Sequence, residues 1–320
     1  MIEVKDVVIR YGDFTAVKGV NFTVKDSEFF TLLGSSGCGK TTTLRAISGF
    51  EKVTSGQIFL DGKDIAPLSP EERDIGFVFQ NYALFPSMTV FDNIAFGMKI
   101  RHKRKDDIRK EVQEIADLIG ISEHLNKKIS QISGGQQQRV AIARALILKP
   151  KLLLMDEPLS NLDAKLRVSM RGEIKRIQKE LGIVAIYVTH DQEEAMAISD
   201  KIAVFNNGMI EQIGAPQDVY YHPGTEFVAR FVGDINHIEN GFIRTEKVKV
   251  LSAARQEGIP DGFACLKGKV IECEFLGATT KTRVQTEAGL LTSLNFDTNG
   301  FTPGDEVLVT FDRADLLQLH

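Results

Sequence analysis

The chain has 320 residues, 39 Lys and Arg against 43 Asp and Glu (net charge −4), and 43% hydrophobic residues, which excludes disorder and suggests two domains. No stretch reaches the roughly 20 apolar residues of a membrane helix, and Met1-Ile2-Glu3-Val4 lacks the basic-then-apolar start of a secretory signal. Charge is even, with 9 basic and 11 acidic side chains in 241–320, so no nucleic-acid or lipid surface stands out, and Cys38, Cys265 and Cys273 lack metal-ligand spacing, as in a reducing compartment.

Short apolar runs at Phe29–Leu33, Ile75–Phe79, Leu152–Met155 and Ile183–Thr189 read as strands buried on both faces, which suits a parallel sheet covered by helices. The first runs into Gly34-Ser35-Ser36-Gly37-Cys38-Gly39-Lys40-Thr41, which fits G-x-x-x-x-G-K-[ST] and precedes the helical run Thr41–Ser48. Glycines let backbone N–H groups converge on phosphate oxygens at a helix N-terminus. Lys40 then reaches the β- and γ-phosphates, and the Thr41 hydroxyl can ligate Mg2+. Gly34, Ser35, Gly37, Cys38, Gly39, Lys40, Thr41 and Thr42 are the expected nucleotide contacts. Cys38 holds an unconstrained position there, either as a small filler or as a thiol that ATP would protect from reagents.

From about Phe85 to Lys149 the pattern is helical, with Lys105–Leu118 amphipathic. It reads as a helical insertion. The basic run Lys99–Lys105 is followed at once by Asp106 and Asp107, as on a solvated face. Further on, Ser133-Gly134-Gly135-Gln136 opens a helix over Val140–Leu148 and forms a second anion nest. The strand Leu152–Met155 ends in Asp156-Glu157, where open α/β sheets place ligands. Asp156 suits a Mg2+ shell, through water, and Glu157 suits orienting or deprotonating the attacking water. After Gly233 the segments Lys247–Leu251, Gly268–Phe275, Lys281–Thr286, Leu290–Leu294 and Asp305–Phe311 are short and partly alternating. Turn residues such as Pro260-Asp261-Gly262, Asn299-Gly300 and Pro303-Gly304 separate them, as in a small all-β barrel. The boundary is expected near Asn236–Asn240.

Two phosphate nests in one chain resemble the ATP-binding-cassette family, whose signature reads L-S-G-G-Q; here Ile132 replaces the Leu. The resemblance covers about residues 1–235. It implies an α/β P-loop NTPase with a RecA-like core and a helical subdomain at about 85–150. A small OB-like, TOBE-type regulatory domain at 241–320 would follow. It further implies that Tyr11 stacks on adenine, that Gln80 senses Mg2+, and that His190 is the switch histidine at the γ-phosphate. Thr41, Gln80 and Asp156 would serve the metal, and Glu157, His190 and Gln80 the hydrolysis. Ser133, Gly134, Gly135 and Gln136 would meet the ATP held by a partner copy, and the loop Ser160-Asn161-Leu162-Asp163 would cross to that copy in a head-to-tail homodimer.

Gly214–Tyr220, Phe227–Gly233 and the β domain look like ATPase subunits of bacterial binding-protein-dependent importers for polyamines, ferric iron, phosphonates, sulfate or maltose. The wording at Ile47–Glu51 and Phe231–Ile235 leans toward the first three. The implied partners are two permease subunits or one two-domain permease, and indirectly an extracytoplasmic solute-binding protein. Nucleic acid is not expected. The implied location is the cytoplasmic face of the bacterial membrane, held peripherally. The competing classes are a soluble cassette ATPase acting on nucleic acid or ribosomes, which would carry coiled coils or two cassettes, and a small-molecule kinase, which leaves the second nest unexplained.

Overall fold

The computed structural model describes residues 1–239, 241–253, 260–296, 300–317 and 319. They form two compact units, Met1–Pro216 and Gln217–His320. In chain order the first unit contains β1 (Ile2–Tyr11), β2 (Phe14–Val24), β3 (Phe29–Gly34), α1 (Lys40–Ser48), β4 (Ser55–Leu60), β5 (Lys63–Asp64) and β6 (Ile75–Val78). There follow α2 (Val90–Ile100), α3 (Lys105–Leu118), α4 (Gly134–Leu146), β7 (Leu152–Asp156), α5 (Ala164–Leu181), β8 (Val184–Thr189), α6 (Gln192–Ile198), β9 (Lys201–Asn206) and β10 (Met209–Gly214).

The central sheet has strand order β10-β9-β3-β8-β7-β6, and from β9 through β6 its strands are parallel. Every residue of β3, β7 and β8 is buried, because successive side chains feed two separate cores. Phe29, Leu153, Met155 and Tyr187 face one core with helices α2–α5. Phe30, Leu152, Leu154 and Ile186 face the other, with α1 and an antiparallel sheet of order β2-β1-β4-β5. That second sheet was not expected from the sequence, since register shifts along β1 interrupt its alternation.

Two further differences matter for the site. The helix expected at Val140–Leu148 begins six residues earlier, at Gly134, so the Gly-Gly pair lies inside its first turn. The basic run 99–105 is exposed throughout, as is Asp106-Asp107, which is the solvated face expected.

The second unit takes in α7 (Pro216–Tyr221, from Gln217 on), α8 (Glu226–Phe231), β11 (Ile235–Ile238), β12 (Gly241–Arg244), β13 (Lys249–Ser252), β14 (Phe263–Phe275), β15 (Thr280–Thr286), β16 (Gly289–Asn295) and β17 (Glu306–Asp312). A five-stranded antiparallel sheet of order β13-β17-β14-β15-β16 surrounds a core that includes Val250, Val270, Val284, Leu291 and Val309. Ser293 of β16 donates to the Val248 carbonyl, 2.6 Å away, just ahead of β13, which draws the two ends of the sheet together in the manner of a small barrel.

Within the boundary region expected near Asn236–Asn240, residues 236–238 belong to β11. Asn236 lies in β11, and its side chain exchanges hydrogen bonds with the Thr292 backbone at 2.8 and 2.6 Å; Asn240 lies outside the described residues, as does Asn299 of the expected Asn299-Gly300 turn. The compact units divide at Pro216/Gln217 because Arg244 ties α7 and α8 to the β domain. Its guanidinium donates to the carbonyls of Tyr220, Ala229 and Gly233 at 2.7, 2.7 and 3.0 Å.

Candidate active site

The strand order places four functional segments side by side. β3 runs into the phosphate loop, β8 into His190, β7 into Asp156-Glu157 and β6 into the loop of Gln80, and all four strands end on the same edge of the sheet. Ligands of open α/β sheets bind at such an edge.

The phosphate loop is shaped by its glycines and closed by its lysine. Gly39, at φ 106°, sits where a Cβ would lie 2.8 Å from the Ala16 carbonyl, and at Gly34 a Cβ would strike the Phe205 carbonyl at 2.6 Å and Cys38 Sγ at 2.7 Å. Lys40 is buried. Its ammonium donates to the Gly34 and Ser35 carbonyls at 2.7 Å each and to Cys38 Sγ at 3.6 Å. Cys38 is therefore not unconstrained: its thiol packs beneath the loop, and the side chain is only 5% exposed. Ser35, Ser36 and Gly37 form the exposed rim.

Thr41 donates to Asp156 Oδ1 at 2.8 Å. Burial pushes the Asp156 carboxyl above its ordinary value, against the Thr41 hydrogen bond and the charges of Arg45 and Lys40. Tyr11, at the end of β1, is half exposed. Its phenol is raised first by partial burial and then by the Glu51 carboxylate, while Thr42 pulls the other way; it thus stands beside the loop.

Glu157 gathers the remaining groups. Its Oε2 accepts from Gln80 Nε2 at 3.3 Å and lies 3.2 Å from His190 Nδ1. Its φ of 42° is left-handed, a conformation that costs a non-glycine residue about 1–2 kcal/mol. The turn is held by the Glu157 N–H, which donates to the Val188 carbonyl at 3.1 Å. Ser160 donates to the Glu157 carbonyl at 3.0 Å, and Asn161 to the Gln80 carbonyl at 2.8 Å.

The second nest does not join this cluster. Ser133 caps α4, accepting from the Gln136 N–H, while Gln136 Oε1 accepts from the Ser133 N–H at 2.8 Å. Gln136 Nε2 lies 2.7 Å from His124 Nε2, so this side chain is occupied within its own cap. Asp163 caps α5 through Leu166 N–H at 3.0 Å. The sequence reading missed Ser160 and Asn161 as supports, and also Arg167 and Glu194. The spacing offers only charged edges, with Arg167 and Arg171 four apart on α5 and Asp191, the N-cap of α6, three before Glu194, and does not specify that the two edges meet.

Among known proteins, the ABC transporter family model matches residues 17–160 and the TOBE domain model residues 242–319. The spermidine/putrescine import ATP-binding protein PotA of Roseobacter denitrificans is 52% identical over 252 residues, covering 79% of this chain and 69% of that protein. PotA of Acetivibrio thermocellus is 42% identical over 338 residues, covering 99% and 95%. The trehalose/maltose import ATP-binding protein MalK of Thermococcus litoralis is 50% identical over 255 residues, covering 76% and 68%. A solved dimeric ATP-binding cassette, MJ0796 bound to ADP and Pi in a post-hydrolysis state, aligns with TM-score 0.60 at 32% identity, over 68% of this chain and 99% of that one.

Proposed function

Because the chain belongs to the ATP-binding-cassette transporter family, as an ATPase subunit of its importer branch with a TOBE domain, we propose that it drives polyamine uptake through a separate permease. ATP binding would join two copies head to tail, and hydrolysis would part them. One observation carries the hydrolytic half: Gln80 and His190 converge on a single carboxylate oxygen of Glu157 beside the phosphate loop. The separate nest at Ser133–Gln136, which makes none of its hydrogen bonds to that cluster, supports the head-to-tail half.

Lys40 exchanges its bonds to the Gly34 and Ser35 carbonyls for β- and γ-phosphate oxygens, with Gly34–Thr42 wrapping the phosphates and Tyr11 facing adenine. The donor set fits Mg2+: Thr41 and Asp156 present hard oxygens 2.8 Å apart, and among the described residues no group of three or more His, Cys, Asp or Glu could cage a metal unaided. Magnesium characteristically shares such a site with phosphate. Thr41, Gln80 and Asp156 (through water) would hold it, and bound there it offsets phosphate charge. Glu157 takes the proton of the attacking water. His190, with Nδ1 3.2 Å from that carboxylate, steadies it and turns the other edge of its ring to the γ-phosphate.

Residues 1–235 serve as the ATPase and 241–320 as a regulatory domain. Among the described residues no helix is long and apolar enough to cross a membrane. A permease, as two subunits or one two-domain chain, would hold the protein at the cytoplasmic face and receive solute from an extracytoplasmic binding protein. The PotA relatives support polyamine as the solute, and the MalK relative makes maltose the comparison to run.

Glu157→Gln tests this reading. Turnover should fall about 10²–10⁴-fold with ATP affinity kept, and light scattering at saturating ATP should show a dimer. A monomer under those conditions, or spermidine uptake that survives loss of the chain, refutes the proposal.

A further inference from the structure

A charge cluster that takes no part in the chemistry above joins the dimer-loop helix to the switch histidine. Arg167, at the fourth position of α5, donates from Nη1 to Asp191 Oδ2 at 3.2 Å and from Nη2 to the Leu162 carbonyl at 3.2 Å. Its Nε faces Glu194 Oε1 at 3.7 Å. Arg171, one turn on, reaches Asp191 and Glu193 at 3.7 and 3.5 Å. Glu194 is buried and accepts on Oε2 from the Tyr187 and Thr189 hydroxyls, both at 2.8 Å. Asp191 caps α6 through the Glu194 N–H at 3.0 Å, and its own N–H donates to Thr189 Oγ1 at 3.0 Å.

Both chain neighbours of His190 are therefore clamped, while the imidazole itself is exposed, its Nδ1 set against Glu157. A cavity of about 40 Å³ is lined by Glu157 and His190 together with Arg167, Asp191 and Glu194, so the clamp borders the space in which the carboxylate works. The near end of a helix gives a cation no help from the backbone dipole, and at Arg167 the Leu162 carbonyl, Asp191 and Glu194 receive the charge instead.

We infer that Arg167 is a positioning residue: it makes the placement of His190 against Glu157 depend on the loop 160–163. The inference rests on the head-to-tail reading, in which that loop meets the partner copy. Movement of Leu162 passes through one guanidinium to Asp191, and from there to the peptide that carries His190.

The test uses the full chain with Arg167→Gln and Asp191→Asn. Asn retains the capping oxygen of α6 and removes the charge that Arg167 grips, so this variant keeps the fold while cutting the link. Both should lower kcat about 10- to 100-fold with KM within about threefold, the signature of an interaction needed in the reacting state. The Hill coefficient for ATP should fall from near two toward one. The double variant should be no worse than the worse single, as expected of one shared link. Wild-type kcat and cooperativity in Asp191→Asn overturn the inference, even where Arg167→Gln fails to fold. A wild-type protein with a Hill coefficient of one, whose Glu157→Gln form stays monomeric with ATP, overturns the head-to-tail reading and this inference with it.

Discussion

Replacing Asp156 with Asn should make the nucleotide-free protein more stable while abolishing its magnesium-dependent activity. Asp156 is 5% exposed at the end of an entirely buried strand, and burial holds its carboxyl above the ordinary value despite the Thr41 hydroxyl. Ionising it near pH 7 thus costs the folded state free energy. Asn keeps the oxygen that accepts from Thr41 and removes the charge. Relief of such functional strain is worth about 1–2 kcal/mol, or roughly 2–8 °C in melting temperature for a unit of this size.

The sign with pH follows. An acid whose folded pKa is raised favours the folded state at low pH, and that contribution is lost as pH rises through the folded value. The advantage of Asn over Asp should therefore be absent below the ordinary carboxylate range, open as pH rises through the raised folded value, and hold above it. Thermal melts in EDTA without nucleotide, from about pH 3.5, below the ordinary Asp value, up to about pH 8, measure it. With magnesium and ATP the order should reverse, since a ligand at 100 times its Kd stabilises the wild type by about 2.7 kcal/mol and the variant lacks the anion. A variant that melts at or below wild type in EDTA at pH 8, or a gap that widens toward acid, refutes the reasoning.

Three further outcomes are expected. Arg144 donates to the carbonyls of Tyr82 and Ala83 at 2.7 Å each, and both residues have positive φ. Arg144→Gln should cost about 2–3 kcal/mol in urea unfolding. Ser133→Ala should cost about 1 kcal/mol through its lost cap, and the ATP-driven dimer should weaken while ATP affinity of the monomer, read by fluorescent nucleotide titration, stays within about threefold. Aromatic disulfide reagents should label exposed Cys265 at least about tenfold faster than Cys38, whose thiol is buried; equal rates would mean that the phosphate loop opens freely without ATP.

What the sequence discloses is set by how local the physics is. The phosphate loop is legible because curling a backbone around phosphate needs glycine at fixed offsets, and the buried strands because their apolar runs are unbroken. Asn236 misleads for a physical reason: its amide replaces a strand partner by bonding the Thr292 backbone in both directions, so a residue that ordinarily marks a turn sits inside the fold. Gln136 is legible as part of a motif, and Ser133-x-x-Gln136 has capping-box spacing, but its contact with His124, 12 positions away, is not legible. Arg167 and Asp191 stand 24 positions apart, and nothing local to either specifies the other.

Gln80, Glu157 and His190 come from three strand ends with no covalent link between them, and Glu157 is held in a strained backbone conformation. A constellation of that kind needs external support, and one short loop supplies it to all three. Asn161 holds the Gln80 carbonyl, Ser160 holds the Glu157 carbonyl, and the Leu162 carbonyl receives Arg167, which grips the residue after His190. The same loop ends at Asp163, the cap of α5. A displacement of 160–163 cannot leave any of the three where it was. In the head-to-tail arrangement proposed here, this loop crosses to the second copy, so hydrolytic geometry and assembly share one support, and ATP would be spent only when both copies are engaged.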